Sequence, residues 1–432
     1  MSAASRTTID DPTPYALERL GARGFDKAQV HHAVNERDEL QAELGKPSML
    51  RTVANTSLVL TGIVAGKRAS TTLNKQGVDE IDRAVDSLWL SAEASMADEA
   101  NDIAPAQPQR SFVEDRAEPD RDAMYDRLES FLSYTANQYP TITMGVANVS
   151  HLRGYHHHAN SNGVRYESTS ACYQTNAHFG AKEGLNVSSL NGTSALNADL
   201  NVPIEQTGSF DRLLRNAVEQ VRPRKVEQKF SGDLILTPDS AGAFLGFFLD
   251  NISRDPMVAG TSVYKDKLGT PVASEKLTLR AQPCSRLGGY RVTDDCFPSA
   301  DATIVNQGIL RSYLLDLYAA RKTGLERSAN SGGGFSIDSG TTSFEDMIEQ
   351  VEQGVLIGRF SGGRPSASGD FSGIAKNSYL IRNGEVSYPI SETMVSGNMV
   401  RLLNDISAVS TQRIDYGHGA FPWVATTGVT IS

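Results

Sequence analysis

The chain has 432 residues, of which 39% are hydrophobic and 21% charged, and its formal net charge is −10. This length predicts two or three domains with a sizeable core, and the acidic balance argues against a protein that binds nucleic acid through a basic surface. No apolar run is long enough to span a bilayer, and the first residues, Met1–Asp11, lack the pattern of a signal peptide.

The N-terminal region predicts a mixture of helices and strands. A short helix is predicted over Pro14–Arg23 and two strands over Thr56–Ala65 and Lys67–Leu73. The segment Ala28–Leu44 fits a helix and a strand equally well. The helix over Val78–Ser95 is the clearest element, because its apolar residues recur at three- and four-residue steps and form one stripe.

A connecting segment follows. Asp98–Asp122 is rich in proline, alanine and acidic residues and has no periodicity, which is typical of a linker. A helix with apolar residues at helical spacing is then predicted over Arg121–Asn137. The two together separate the N-terminal region from a part of the chain with a different pattern.

From Thr141 onward, short alternating strands predominate. Hairpin turns are predicted at three dipeptides that accept positive φ angles: Asn162-Gly163, Gln307-Gly308 and Asn383-Gly384. Helices are predicted at three places: Phe210–Val221, Pro238–Asn251 and Ser343–Gln353. The strands should therefore form a mainly antiparallel sheet that a few helices interrupt.

These elements predict an α+β fold, in which a small N-terminal α/β domain is followed by a larger, mainly antiparallel-sheet C-terminal domain with a few helices. The changes in pattern place the first domain at residues 1–97, the linker and connecting helix at 98–140, and the second domain at 141–432. No internal repeat with a fixed period is present.

The helix predicted over Pro238–Asn251 has a well-marked start. Thr237 is a suitable N-cap residue, proline suits the first helical position, and Asp239 favours the positive end of the helix dipole. One face is apolar and includes Phe244, whereas the other carries small residues such as Ala243. The second face therefore offers no metal ligand and no general base.

Several short motifs, in this order and spacing, resemble the core of TldD/PmbA proteins. They are Pro238-Asp239-Ser240-Ala241, Gly260-Thr261-Ser262-Val263-Tyr264, Ala320-Arg321-Lys322-Thr323-Gly324, Gly369-Asp370-Phe371-Ser372, Asn383-Gly384-Glu385 and Ser396-Gly397-Asn398-Met399. Each motif alone is weak, but their combination over roughly Asp211–Asp405 is specific. The N-terminal region matches the family more loosely.

The resemblance implies one of two kinds of subunit. Members like TldD carry HExxxH on the helix corresponding to Pro238–Asn251, plus a distal cysteine that completes a zinc site. Members like TldE, also called PmbA, lack these ligands and pair with the active subunit. This chain has no HExxxH, and Ala425–Ser432 contains no cysteine. The resemblance therefore implies the TldE type, with no catalytic residue and no metal ligand of its own.

The resemblance also implies partners and a groove. It implies a heterodimer or higher assembly with a TldD-like subunit that holds the zinc, a homodimer when that subunit is missing, and an enclosed cavity for unfolded or extended peptides. The helix that replaces the zinc-motif helix includes Asp239, Ser240, Ala243 and Phe244. The candidate substrate-groove residues are Gly369, Asp370, Phe371 and Ser372. A structural turn in which Asp370 bonds its own backbone is the preferred interpretation of this motif.

The cysteine count bears on location. Cys172, Cys284 and Cys296 show no paired-motif spacing, so free thiols in a reducing cytoplasm are the simplest interpretation, although Cys284 and Cys296 could pair. No nucleic acid or membrane is expected as a partner.

His156-His157-His158 is a candidate metal cluster outside the resemblance. Neighbouring residues of a strand point to opposite faces, so at most His156 and His158 share one. Only Glu167 lies nearby as an acidic partner, and an exposed strand end or a contact with a partner is the preferred interpretation. Two alternatives stay open: a stand-alone hydrolase whose ligands come from His151, His156, His158 or His178, and a self-associating peptide-binding protein without catalysis.

Overall fold

The structure is a computed structural model that describes residues 11–113 and 118–432. Most of the segment on which the signal-peptide prediction rests, and part of the predicted linker, lie outside these residues. Within them the chain forms two sheets flanked by helices, and the predicted α+β fold class is confirmed. No helix in the described ranges is both long and apolar enough to cross a bilayer.

The described residues form nine α-helices. Their bounds are α1 (Thr13–Arg23), α2 (Val78–Ala94), α3 (Arg121–Gln138), α4 (Phe210–Glu219), α5 (Pro238–Asn251), α6 (Arg254–Ala259), α7 (Leu317–Thr323), α8 (Phe344–Glu349) and α9 (Met399–Asn404), with a 3₁₀ turn at Ile204–Gln206. The predicted helices are therefore present, with ends that differ by a few residues.

The strands fall into two groups along the chain. The first sheet contains β1 (Lys27–Glu43), β2 (Lys46–Val64), β3 (Lys67–Leu73), β4 (Arg110–Phe112), β5 (Ile142–Asn160), β6 (Arg165–Glu183), β7 (Asn186–Val187) and β8 (Asn191–Asn197). The second contains β9 (Phe230–Leu236), β10 (Leu279–Ala281), β11 (Ala302–Asn306), β12 (Ile309–Leu310), β13 (Phe335–Ile337), β14 (Gln353–Ile357), β15 (Arg359–Gly362), β16 (Asp370–Lys376), β17 (Ser378–Arg382), β18 (Glu385–Ile390), β19 (Thr393–Asn398), β20 (Ile406–Asp415) and β21 (Ala420–Ile431).

The first sheet has the order β3-β2-β1-β5-β6-β4, and β7 and β8 also pair with β6. Strands β5 to β8 thus join the N-terminal strands, although they lie within the predicted C-terminal domain. The division between the sheets falls after Asn197 and does not coincide with the boundary predicted at residue 140. Alternating hydrophobicity predicts that a segment is a strand, but it does not predict the partner of that strand.

The segment that fits a helix and a strand equally well is strand β1. Two acidic residues in its middle are buried, and each has a cationic partner. Asp38 accepts hydrogen bonds from Arg121 at 2.6 Å and from Thr52 at 2.7 Å. Glu39 is 2.8 Å from Arg51. Buried carboxylates of this kind interrupt the apolar alternation, which is why the periodicity of β1 is ambiguous.

One face of the first sheet carries its apolar core. Towards one end, α1 and α2 cover Val30, Leu58 and their neighbours. Towards the other end, α3 and α4 cover Leu40, with Phe131 and Phe210 in edge-to-face contact at 5.6 Å. Val30 and Leu40 are an even number of positions apart on β1, so both clusters lie on the same face. The odd-numbered side chains of β1 point to the opposite face.

The second sheet is built around its last strand. Strand β21 pairs with β9, β13, β19 and β20, and β9 lies between β21 and the parallel strand β14. Alternate residues of β9 separate two cores. Leu234 and Leu236 pack with the apolar face of α5, and Ile235 packs on the other side with Trp423 and α8. Helix α5 is therefore seated on the centre of this sheet.

The three predicted turns differ in which residues adopt positive φ angles. At Gln307-Gly308 and Asn383-Gly384 both residues have positive φ angles, 47° and 77° in the first pair and 50° and 77° in the second. At Asn162-Gly163 only the glycine does, with φ 91°. There the side chain of Asn160 accepts hydrogen bonds from the backbone of Asn162 and Val164 and stabilises a longer turn.

Candidate functional site

Helix α5 begins directly after the central strand β9. Thr237 occupies the N-cap position and Pro238 the first turn, as predicted, but the threonine side chain accepts no hydrogen bond from a backbone N–H of the helix. The Ser240 hydroxyl is buried, with the carbonyl oxygens of Thr237 and Ile357 each at 3.0 Å. Ser240 therefore links the start of α5 to the end of β14.

The carboxylate of Asp239 is held by three side chains. The Tyr416 hydroxyl donates to it at 2.9 Å, and Ser209 and Arg212 also bind it. The side chain of Asp239 is 15% exposed, and burial raises the pKa of Tyr416 far above its usual value. This network ties α4, α5 and the segment before β21 together, so that the carboxylate is occupied by structural contacts.

The outer face of α5 carries almost no functional groups. Gly242 and Ala243 are exposed, and a Cβ atom added at Gly242 or Gly246 would meet no atom within 4 Å. The space is open, but the first turns present hydrogen and methyl groups where zinc would need imidazole or thiolate, and the exposed carboxylate of Asp250 in the last turn is a single ligand. The residues of α5 therefore do not fit the zinc site of the active type, and no chemical step in this chain can be assigned to zinc at α5.

The candidate groove residues lie against the same helix. The ring of Phe371 is 5.9 Å from that of Phe244 and 5.5 Å from that of Phe360, in edge-to-face geometry. A Cβ atom at Gly369, whose φ is +93°, would lie 3.3 Å from the ring of Phe247. The aromatic contacts thus bring α5, β15 and the start of β16 together.

Asp370 is fixed by its neighbours in a turn. Its carboxylate accepts hydrogen bonds from Asn398 at 2.9 Å and from Ser368 at 2.8 Å, and its backbone N–H donates to Ser366 at 3.0 Å. The bond from Asn398, followed by that from Ser368, lowers the pKa of Asp370. The turn is thus stabilised by neighbouring side chains, while Ser372 is exposed. The role of these residues in binding substrate stays a prediction.

A second group of candidate functional residues, three histidines, lies on the first sheet. His31 of β1 is directly opposite His158 of β5, and His156 lies two residues before His158. All three side chains therefore point to the sheet face opposite the apolar core. One nitrogen from each ring lies within 4.8 Å of the others, and His31 Nε2 is 3.2 Å from His156 Nδ1.

Two of these three residues were predicted as candidate ligands from the sequence. His156 and His158 share a face, as the alternation predicts, whereas His31 was missed because the pairing of β1 with β5 cannot be read from either strand alone. Among the other candidate ligands, His178 is exposed and His151 is buried. The described residues contain a single group of three potential ligands at this spacing, and neither His151 nor His178 belongs to it.

The three histidines line a cavity of about 360 Å³ between the first sheet and a loop of the C-terminal region. Its other walls are the β6 segment Ser168–Ala171 and the loop Pro283–Asp294. The Gln29 side chain, on the same face of β1, donates to the carbonyl oxygen of Asp294 at 2.7 Å and holds the loop against the sheet. All three cysteines are free, as expected, and Cys284 lies in this wall.

Comparison with known proteins identifies the C-terminal part of the chain. Residues 230–432 match the family described as PmbA/TldA metallopeptidase C-terminal domain. The chain is 28% identical over 230 residues to a protein named metalloprotease from Methanothermobacter thermautotrophicus, covering 48% of this chain and 51% of that protein. It is 26% identical over 200 residues to metalloprotease PmbA of Escherichia coli O157:H7, covering 45% and 44%. The match spans about half the length of these relatives.

Two solved structures share the fold over nearly the whole chain. One is TldE from Thermococcus kodakarensis, with a TM-score of 0.81, 18% identity and coverage of 98% of this chain and 100% of that one. The other is a putative modulator of DNA gyrase from Bacteroides thetaiotaomicron, with a TM-score of 0.84, 20% identity and coverage of 98% of both chains. At these identities the likeness establishes the fold.

Proposed function

Since residues 230–432 match the PmbA/TldA metallopeptidase C-terminal domain, we propose that the chain is a non-catalytic, TldE-like subunit of a metallopeptidase complex. Its partner is a TldD-like subunit that carries the zinc and performs the hydrolysis. The two subunits together enclose a cavity in the cytoplasm, in which unfolded or extended peptides are degraded or matured.

The composition of α5 is the observation that carries this proposal. A hydrolytic member needs two histidines and a glutamate on this helix, because the histidines hold the metal and the glutamate accepts a proton from the attacking water. In this chain the outward positions of the first turns are Gly242, Ala243 and Gly246, and the exposed carboxylate of Asp250 lies in the last turn with no histidine on the helix. The only acidic group in the first turn, Asp239, is bound by Tyr416 and its neighbours.

The substrate class is supported by the strands beside α5. Strand β16 pairs with β19 along its length and with β15 from Gly373 onward, so Asp370–Ser372 have one neighbouring strand. Ser366 bonds the backbone N–H and carbonyl of Asp370, so the open edge lies after Asp370. An extended peptide can bind along such an edge through backbone hydrogen bonds, which gives little sequence preference. The proposal places the peptide path at Gly369–Ser372.

Co-expression tests the pairing. The chain is produced, without a tag, together with an affinity-tagged HExxxH-bearing paralogue from the same genome. The two should elute as one complex in size-exclusion chromatography and cleave an extended peptide. Replacing the glutamate of the paralogue's HExxxH with glutamine should abolish cleavage while the complex stays intact, because that change removes the proton acceptor and leaves the metal ligands in place.

The controls are each subunit alone. The proposal predicts that this chain alone has no peptidase activity and that the paralogue alone has little. Separate elution of the two chains, together with full activity of the paralogue alone, would show that this chain is no subunit of the enzyme. Cleavage by this chain alone would instead support a stand-alone hydrolase, and binding of the peptide without any partner would support a self-associating peptide-binding protein.

A further inference from the structure

The histidine group on the first sheet lies apart from α5 and plays no part in the proposed peptidase role. We propose that His31, His156 and His158 bind one zinc ion, with its fourth coordination position open to the cavity. The site would belong to this chain itself, and it departs from the sequence-based expectation that the chain holds no metal.

The arrangement of the three residues is that of a ligand set on a sheet. Two ligands lie at positions i and i+2 of β5, and the third lies opposite on β1. The pairing of β1 with β5 contains no bulge from Gln29 to Glu43, so the three Cα–Cβ bonds keep a common direction. Rigid strands of this kind hold ligands more precisely than loops do.

The nitrogen spacing agrees with tetrahedral coordination. With zinc–nitrogen distances of about 2.0–2.1 Å, two ligand nitrogens of a tetrahedral site lie about 3.3–3.4 Å apart. His31 Nε2 and His156 Nδ1 are hydrogen-bonded to each other at 3.2 Å, and zinc would replace the shared proton at nearly the same spacing. The His158 ring stacks on that of His31 with centroids 4.0 Å apart, and its nitrogen lies within 4.8 Å of the other two. The three nitrogens are thus close enough to reach one ion once the stacked rings of His31 and His158 turn so that their nitrogens converge.

The group also has a polar atom that needs a partner. His158 is 4% exposed, and its Nδ1 atom has no hydrogen-bond partner among the described residues. A buried nitrogen without a partner is costly. An imidazole nitrogen is a common ligand atom of zinc, and each of the three rings offers one to the group.

Three histidine ligands leave one position of a four-coordinate zinc ion open, which is the pattern of sites that bind water or a substrate group. The cavity of about 360 Å³ gives that position room. The positive charges of Arg286 and Arg291 in the wall disfavour the binding of a cation. Arg286 is paired with Asp415 at 2.7 Å, which reduces its contribution. The acidic residue Asp294 lies in the same wall and offsets part of the remaining positive charge.

Metal titration of the purified full-length chain tests the site. The chain is prepared without a polyhistidine tag, treated with a chelator, and titrated with Zn²⁺ by calorimetry and with Co²⁺ by visible absorption. We expect one ion per chain, a Co²⁺ spectrum of the tetrahedral type, and a higher melting temperature in the presence of Zn²⁺.

Two site variants and one matched control define the ligands. H31Q and H156Q each remove a ligand that is only partly buried, and we expect each to weaken Zn²⁺ binding at least about 10-fold. H178Q removes an exposed histidine on the neighbouring strand β6 and should bind Zn²⁺ as the unaltered chain does. Absence of stoichiometric binding to the unaltered chain, or equal affinities in all three variants, would overturn the inference. Neither outcome depends on the proposed peptidase pairing, because the titration uses this chain alone.

Discussion

At the scale of single residues, Asp295 shows how a partly buried charge is stabilised. It directly follows the loop Pro283–Asp294 that lines the cavity. Its side chain is 17% exposed and accepts two hydrogen bonds from Arg327, at 2.7 and 2.8 Å. The backbone N–H of Leu317 donates to it at 2.8 Å. Burial alone would raise the pKa of Asp295, but the hydrogen bonds and charge of Arg327 outweigh burial, and the pKa is lowered.

This lowered pKa predicts a pH-dependent contribution to stability. The folded-state pKa lies below the unfolded value of about 3.9, so the stabilisation is fully present above that value and is lost as the pH falls through the folded pKa. Asp295→Asn should therefore lower the free energy of unfolding by about 1.5–3 kcal/mol at pH 7, and the difference should shrink below pH 4. Urea unfolding of both proteins at several pH values measures it.

The control for this prediction is Asp255→Asn, because the side chain of Asp255 is 94% exposed. Its effect should stay within about 0.5 kcal/mol at every pH. A difference for Asp295→Asn that is the same at pH 7 and pH 3 would contradict the role assigned to the Arg327 pair.

At the scale of elements, α3 is attached to the first sheet by a narrow apolar stripe. Met124, Leu128 and Phe131 are completely buried beneath it, whereas Tyr125 on its outer side is 42% exposed. Phe131 contacts Phe210 of α4 across this core. One aromatic contact therefore joins the two helices that cover this end of the sheet.

Phe131→Ala should destabilise the chain by about 3–5 kcal/mol, because it removes the ring and leaves a cavity that the rigid strands cannot fill. Tyr125→Ala in the same helix should change the free energy of unfolding by no more than about 0.5 kcal/mol. Circular dichroism during chemical denaturation measures both. Equal effects of the two substitutions would contradict the packing of α3 described above.

The same elements show what the sequence could and could not predict. Helices with an apolar stripe and a clear start, such as α2 and α5, were predicted to within a residue or two, because their signals are local. Strand β2 was predicted only in its last part, because the stretch from Lys46 to Ala54 is largely exposed and shows no alternation. The short strand β4 was taken as linker, since it depends on pairing with a distant strand.

The two candidate sites also differ in whether they depend on local sequence or on the pairing of distant strands. The interpretation of α5 follows from its own residues and needs no knowledge of the pairing of distant strands. The histidine group needs β1 and β5 to be neighbours, and β1 itself was ambiguous because Asp38 and Glu39 interrupt its pattern. Long-range pairing is the step that periodicity within one sequence does not supply.

At the scale of the whole molecule, an acidic segment after α2 joins the two sheets. Asp102 binds Lys27 at the start of β1 and also binds Arg321 of α7. Asp98 binds Lys322 of the same helix at 2.9 Å. The first residues of the predicted linker thus form a polar bridge between the two halves.

Asp102→Asn should weaken this bridge and lower the free energy of unfolding by about 1–3 kcal/mol, because two cations lose their partly buried partner. Asp86→Asn, which affects a surface pair with Arg23 whose carboxylate is 71% exposed, is the matched control and should cost less than about 1 kcal/mol. Denaturation midpoints at low and high salt measure both. A loss for Asp102→Asn no larger than for Asp86→Asn would show that the segment is only a tether.

The position of β21 has a consequence for how the protein is made. The first sheet is complete once β8 has left the ribosome, so it can close during synthesis. The second sheet cannot, since β9 must wait for β21, the last of the described strands to be translated. Until then the apolar faces of β9 and α5 lack the strand that covers them. Nascent chains at this stage expose hydrophobic surface, which is the feature that chaperones bind.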